Sequence, residues 1–310
     1  MIRLRLPIPL LAAGALAVAV AGCGAGAGTA PNPGSQLITR DFGAKVLVLN
    51  QEPKIEGSDT VMRLLQRNAH VGTRFGGKFV ESINGVSGGT TKSGDGIDWF
   101  FYVNGVEAGK GAAEVRVHDG DRVWWDNHDW AGAMDTPAVV GSYPEPFVHG
   151  IDGKKLPTRV ECAPATSKAC DTADNNLVEA GVVAGETAFQ GSAGADTLRV
   201  LVGDWTALRN DPAAALLEKP ASASGVFARM TPDGRQIELL DEHGKIARTL
   251  GAGYGLVAAV RLNHGRPVWV VTGTNAAGID SAAAALAEGL LANHFAVVVQ
   301  GSTVTPLPVP

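Results

Sequence analysis

The sequence predicts an α+β protein in two modules: one helix packed across a small curved sheet, then an α/β domain with a strand–helix–strand unit. Three observations predict this. Between residues 41 and 130, short runs of strand length and turn signals surround a single helical stretch. Between 195 and 300, continuous apolar runs flank an Ala- and Leu-rich helical stretch, the pattern of strands buried on both faces. The segment between them, 131–194, is punctuated by Pro137, Pro144, Pro146, Pro157 and Pro164 and reads as a connector.

Residues 1–22 read as an export signal. Arg3 and Arg5 give a positive start, residues 7–20 carry no charge, and Val20-Ala21-Gly22-Cys23 closes the apolar run. An aliphatic residue, two small residues and Cys at this place resemble the bacterial lipobox. The resemblance makes Cys23 the acylated first residue of a mature lipoprotein, since two or more acyl chains anchor stably where one does not. The expectation is a chain held at the cell membrane on its extracytoplasmic face, with the lipid bilayer as its first partner. Residues 23–40, rich in Gly, Ala, Pro and Ser, read as a flexible linker.

In the first module, 41–130, residues 44–50 hold a short strand. Ser58 is the expected N-cap of a helix over 61–67, with Asp59 in its first turn and Val61, Leu64 and Leu65 on one face. Residues 74–83 and 97–103 read as strands followed by the turns Asn84-Gly85 and Asn104-Gly105. Residues 114–117 and 122–125 read as strands joined by the turn at 118–121. One helix across these strands is a β-grasp-like arrangement. Alternation sends Trp99, Phe101 and Val103 to one face and Phe100 and Tyr102 to the other, and separates Trp124 from Trp125. One face is core; the other needs a second domain or a ligand to cover it.

Several motifs carry a resemblance: Gly76 and Phe79 ahead of Ser82-Ile83-Asn84-Gly85, Trp99 to Gly105, Gly111-Ala112, and Asp119-Gly120-Asp121 leading into Trp124-Trp125. They resemble a domain of unknown function that is similar to the C-terminal domain of transcobalamin and intrinsic factor. The resemblance covers a quarter to a third of the chain. It implies the β-grasp-like fold and, through the transcobalamins, a corrinoid ligand. In those proteins a helical barrel completes the site, and no stretch here resembles it. The Pro144-Glu145-Pro146-Phe147 connector is similar to that of actinobacterial lipoproteins.

The candidate ligand site is an aromatic platform of Trp99, Phe101, Tyr102, Trp124, Trp125 and Trp130, with His128 as a polar group. The alternative is that the aromatics fill core and a domain interface. In the connector, Cys162 and Cys170 form the expected disulfide, and residues 172–181 a short helix. The second module, 195–300, should run from a strand at 197–203 into a helix at 205–217, capped by Asp204 and interrupted at Pro212. Three short strands follow, at 225–230, 236–240 and 245–250. An ambiguous apolar run at 255–262 precedes a strand at 267–272, a helix from Asp280 or Ser281 to 292, and a last strand at 295–299. Residues 301–310 are a tail.

A net charge of −5 without a Lys/Arg cluster argues against nucleic acid. No Gly-x-Ser-x-Gly elbow occurs, and no metal or cofactor constellation stands out. The expected role is non-catalytic small-molecule binding by a membrane-anchored lipoprotein. The alternative is a structural or protein-interaction role in the cell envelope.

Overall fold

The computed structural model describes residues 35–51, 55–90, 96–190 and 196–310, which fall in one compact unit. The expected signal 1–22, Cys23 and the linker up to residue 34 lie outside the described residues. The leading module contains β1 (Ser35–Arg40), β2 (Lys45–Gln51), α1 (Val61–Asn68), β3 (Val71–Arg74), β4 (Phe79–Ile83), β5 (Val86–Ser87), β6 (Gly89–Thr90), β7 (Gly96–Val103), β8 (Val106–Glu107) and β9 (Arg122–Asp129). The main sheet runs β2-β1-β9-β7-β6, with β8 also on β7. Its central pair, β1 and β9, is parallel, and the other pairs are antiparallel. First and last strands parallel at the centre, with a helix over one face, make a β-grasp arrangement.

The helix side is a closed core. Val61, Met62, Leu64 and Leu65 of α1 pack with Ile38, Ile83, Trp99, Phe101, Val123 and Trp125. Three expectations shift here. The linker ends early, because Ser35–Arg40 is the strand next to β9; its buried Gln36 and Thr39 disguise it as polar chain. The N-cap is Thr60, whose hydroxyl accepts the Arg63 N–H at 3.3 Å, while Asp59 instead takes the Arg67 guanidinium at 2.7 and 2.9 Å. The strand expected over 74–83 is a hairpin of β3 and β4, and that over 114–117 contributes only a bridge between Thr60 and Arg116.

The second module adds β10 (Thr158–Cys162), α2 (Ser167–Glu179), β11 (Ala184–Ala188), β12 (Leu198–Val202), α3 (Trp205–Leu208), α4 (Ala221–Ser224), β13 (Ala228–Met230), β14 (Ile237–Leu240), β15 (Ile246–Leu250), β16 (Gly255–Val260), β17 (Val268–Gly273), α5 (Ala276–Ala284), α6 (Glu288–Leu291), β18 (Ala296–Gln300) and β19 (Thr303–Leu307). The large sheet runs β11-β10-β12-β17-β16-β18-β19. Its first four strands are parallel and the remaining pairings antiparallel. Helix α2 links β10 to β11, and α5 links β17 to β18, which lie either side of β16. Both helices bury one face of the sheet with Leu177, Val200, Val257, Trp269 and Ile279. The antiparallel β13-β14-β15 insertion covers the other face.

The connector and tail thus belong to this sheet, through β10, α2, β11 and β19. Strand β10 escapes apolar patterning because Arg159 and Glu161 alternate with Val160. Glu161 is buried against Arg199, which donates to it at 2.8 and 2.7 Å and to Asp211 at 2.6 Å. The helix over 205–217 is broken at Pro212 as expected: it stops at Leu208, and a 3₁₀ turn follows at Ala214–Glu218, because Pro212 has no N–H to continue the ladder. Helix α5 starts at Ala276, ahead of Asp280, because the Asn275 side chain caps it by accepting the Gly278 N–H at 3.0 Å.

Candidate functional site

The aromatic residues singled out above fall on β7 and β9, except Trp130, which follows β9, and alternation divides the strand residues between two burials. Trp99, Phe101 and Trp125 face α1; Phe101 and Trp125 stack 4.8 Å apart, and the Trp99 indole donates to the Val86 carbonyl at 3.1 Å. Tyr102 and Trp124 face the other way, into a seam with the second module. There they meet Leu37, Phe42, Val139, Leu201, Phe227, Phe295 and Val298 in one cluster. Trp124 and Trp125 are both 1% exposed. The second module covers the face that sequence alone leaves open, so the five core aromatics and His128 form no open platform. Trp130 stands apart, half-buried, with its indole donating to Asp98 at 3.0 Å.

His128 sits at the centre of the seam. Its ring is stacked between Phe42 at 4.4 Å and Phe100 at 4.5 Å, with the edge of Phe295 at 5.4 Å. Nδ1 lies 2.8 Å from Asp126, whose carboxylate is itself fully buried. Asp126 also accepts the Phe42 N–H at 3.1 Å, the Gly43 N–H at 2.9 Å and the Thr39 hydroxyl. Trp124 completes the chain by donating its indole N–H to Thr39 at 2.7 Å. Asp126 thus gathers the Thr39 hydroxyl, two backbone N–H groups and the His128 ring around one buried carboxylate.

This Asp–His pair has the outline of a proton relay, yet its surroundings fit a lock. Both carboxylate oxygens are occupied by backbone and side-chain donors. Among the described residues, no hydroxyl or thiol is hydrogen-bonded to His128. What the pair holds is the turn at Asp41 and Phe42, two successive non-glycine residues with φ of +56°. Such backbone costs on the order of 1–3 kcal/mol per residue and persists where contacts over-determine it. Here the Asp126 hydrogen bonds do so, and they drive the Phe42 ring across the seam to Phe227 at 5.0 Å and Phe295 at 5.2 Å. Sequence reasoning missed Phe42, Asp126 and Thr39; the pairing of β1 with β9 brings them together.

The Asn-Gly and Asp-Gly-Asp motifs also hold the connector. Asn104 donates to Asp121 at 2.7 Å and to the Gly150 carbonyl at 2.9 Å, and accepts the Arg122 N–H at 2.8 Å. Arg122 reaches the Tyr143 carbonyl at 2.8 Å and Glu288 at 2.7 Å. Gly120, at φ +86°, faces the His149 ring so closely that a Cβ would stand 2.3 Å from it. Gly105, at φ +74°, would place a Cβ 2.8 Å from the Val139 carbonyl. The Asn104-Gly105 and Asp119-Gly120-Asp121 turns are therefore clamps on the connector.

Cys162 and Cys170 are bonded, with Cα atoms 5.9 Å apart, tying the end of β10 to the start of α2. Glu186 lies beside the two sulfurs, but bonded sulfurs offer no thiolate to a metal. Burial, and then the charge of Asp135, raise the Glu107 carboxyl to about 7. Glu107 lies where β8 meets the connector, its N–H on the Pro137 carbonyl at 3.2 Å.

Compared with known families, residues 58–129 match a domain of unknown function (DUF4430). The match covers α1 through β9 and includes the motif residues quoted above. No curated protein matches the chain. The comparisons therefore reach only this segment of the larger fold, and the matched family's description assigns it no function.

Proposed function

We propose that the chain is an exported lipoprotein, cleaved before Cys23, acylated there and held on the extracytoplasmic face of the cell membrane, where its folded body binds a partner. The supporting observation is the division of its three cysteines. Cys162 and Cys170 are bonded to each other, as suits an oxidising compartment, and the third stands where the apolar leader ends. Native mass spectrometry of the protein taken from its own membrane tests this. The expected species starts at Cys23, carries acyl chains and keeps any ligand bound. A chain that starts at residue 1 with free thiols would sink the reading.

The geometry favours a protein partner of the cell envelope over a small molecule. Strand β2 is a sheet edge on which Val46, Leu47 and Leu49 are 50%, 39% and 65% exposed. Among the described residues no strand pairs with its outer side, and natural edges of this kind are usually guarded by charge or Pro. A partner strand added there would be held by backbone bonds and by these side chains. A small molecule, a corrinoid on the transcobalamin resemblance, would find Tyr102, Trp124 and His128 already covered by the second module. Titration with cobalamin discriminates the two. Quenching of tryptophan emission that is weakened in Trp130→Ala supports the ligand reading. No response, together with a co-purified envelope protein lost in Leu49→Lys, supports the partner reading.

A further inference from the structure

We propose that the tip of the β3–β4 hairpin is a second contact with the bilayer, inserting Phe75 and Phe79 at the boundary between headgroups and acyl chains. The inference rests on the membrane-anchored reading above and deepens it. Phe75 is 78% exposed and Phe79 38%, and their rings meet edge to face at 6.4 Å at the end of the hairpin. Phe75, Gly76 and Gly77 have φ of +53°, +69° and +88°. A bulky side chain in the left-handed region is strained, and here the strain holds an aromatic ring out into solvent. Nothing in the packing of the module calls for that: Val80 and Ile83 of the same hairpin supply its buried contacts.

The charges around the rings select the occupant. Arg74 and Lys78 flank Phe75 and are exposed, and the Lys78 carbonyl lies against Gly111, which brings exposed Lys110 beside the tip. The acidic neighbours are Glu81, paired with Arg74, and Glu114. Segment 73–79 itself carries two cations and no acid. Exposed aromatics ringed by Lys and Arg match an interface of anionic phosphate headgroups over acyl chains. The tether permits the approach. Cys23 and Ser35 are about 12 residues apart, so the connection spans at most about 40 Å at full extension. The anchor alone confines the body near the bilayer without choosing which side faces it; the hairpin tip would choose.

The test uses the unacylated chain of residues 24–310, which contains every described residue, with its disulfide formed. It is sedimented with vesicles of phosphatidylcholine alone and of phosphatidylcholine with phosphatidylglycerol. The expected result is partitioning that is stronger on the anionic vesicles, weakened by salt, and reduced about tenfold or more in Phe75→Ser/Phe79→Ser. Phe75→Leu retains most of it, and an unchanged thermal melt shows that both variants fold. No partitioning to either vesicle, or equal partitioning of the double variant, overturns the proposal. So does self-association on gel filtration that the double variant abolishes, which would make the tip a contact between copies. Acylation of Cys23 is read separately by intact mass, so the anchored reading survives or fails independently.

Discussion

On the helix face of the leading sheet, Trp99, Phe101 and Trp125 pack against Val61, Leu64 and Leu65 of the same module. On the seam face, Tyr102 and Trp124 pack against Phe295, in one cluster with Phe227, both from the second module. The aromatics on the two faces are alike in kind and adjacent in sequence. One set closes a module and the other joins two. The helix face contains the residues that any β-grasp module needs, whereas the seam face holds a polar lock, Trp124–Thr39–Asp126–His128, whose effect is to set Phe42 across the junction. A family model that matches residues 58–129 therefore covers a module whose second face is completed elsewhere.

The comparison can be broken first with large truncations. Trp124→Ala and Trp125→Ala should each destabilise by about 3–5 kcal/mol, as buried Trp truncations do. They should differ in form. Trp124→Ala loosens both modules together in one urea transition, while Trp125→Ala lets the leading module unfold first, with hydrogen exchange in β16 and β17 still slow. A single shared transition in both variants would erase the distinction between the faces.

A pH titration sharpens it next. Glu107 is raised to about 7 from an ordinary value of 4.5, so between those values the folded protein binds the extra proton. Stability should fall as pH rises from about 4.5 to 7, by up to about 3 kcal/mol, and stay low above that. His149, raised by its hydrogen bond to Glu145, adds in the same direction: its contribution is complete below about 6.5 and is lost as pH rises through its raised value. Glu107→Gln should flatten most of the slope in thermal melts taken between pH 5 and 8. A slope of unchanged size would show that Glu107 is solvated.

Smaller effects test the lock and the clamp. Asp126→Asn should cost about 2–3 kcal/mol, because a charged acceptor is replaced where several donors converge, and should free the Phe42 turn, seen as new protease cleavage at residues 41–44. Gly120→Ala should cost about 1–2 kcal/mol from its left-handed backbone, and more unless His149 swings aside. A neutral outcome would mean that the Asp-Gly-Asp turn is not held against the connector.

Much of this architecture is legible in the residues themselves. The β7 run of Trp99 to Val103, the Asn-Gly turns and the apolar strands β12, β17 and β18 carry their structure in pattern alone. The rest is hidden for physical reasons. Strand β1 buries Gln36 and Thr39, and β10 buries Glu161 in an ion triad, so both read as loop. Strand β19 carries Pro306 on an edge, which argues against a strand in any local reading. The seam was legible as a need, since one aromatic face required a cover, but the occupant of that face depends on pairings far apart in sequence. Asp126, Thr39 and Phe42 gave no local signal of their joint role.

The Phe42 turn also fixes an order of events. Its ring rests on Phe227 and Phe295, so the leading sheet cannot finish its second face until those later residues have been made and delivered. Contacts of such sequence separation slow folding and leave apolar surface uncovered meanwhile. A fragment cut to the family segment would lack β1 and β2 as well, opening the β9 edge beside Trp124. Such a fragment is expected to aggregate on expression, and the domain's behaviour is best studied within the whole body.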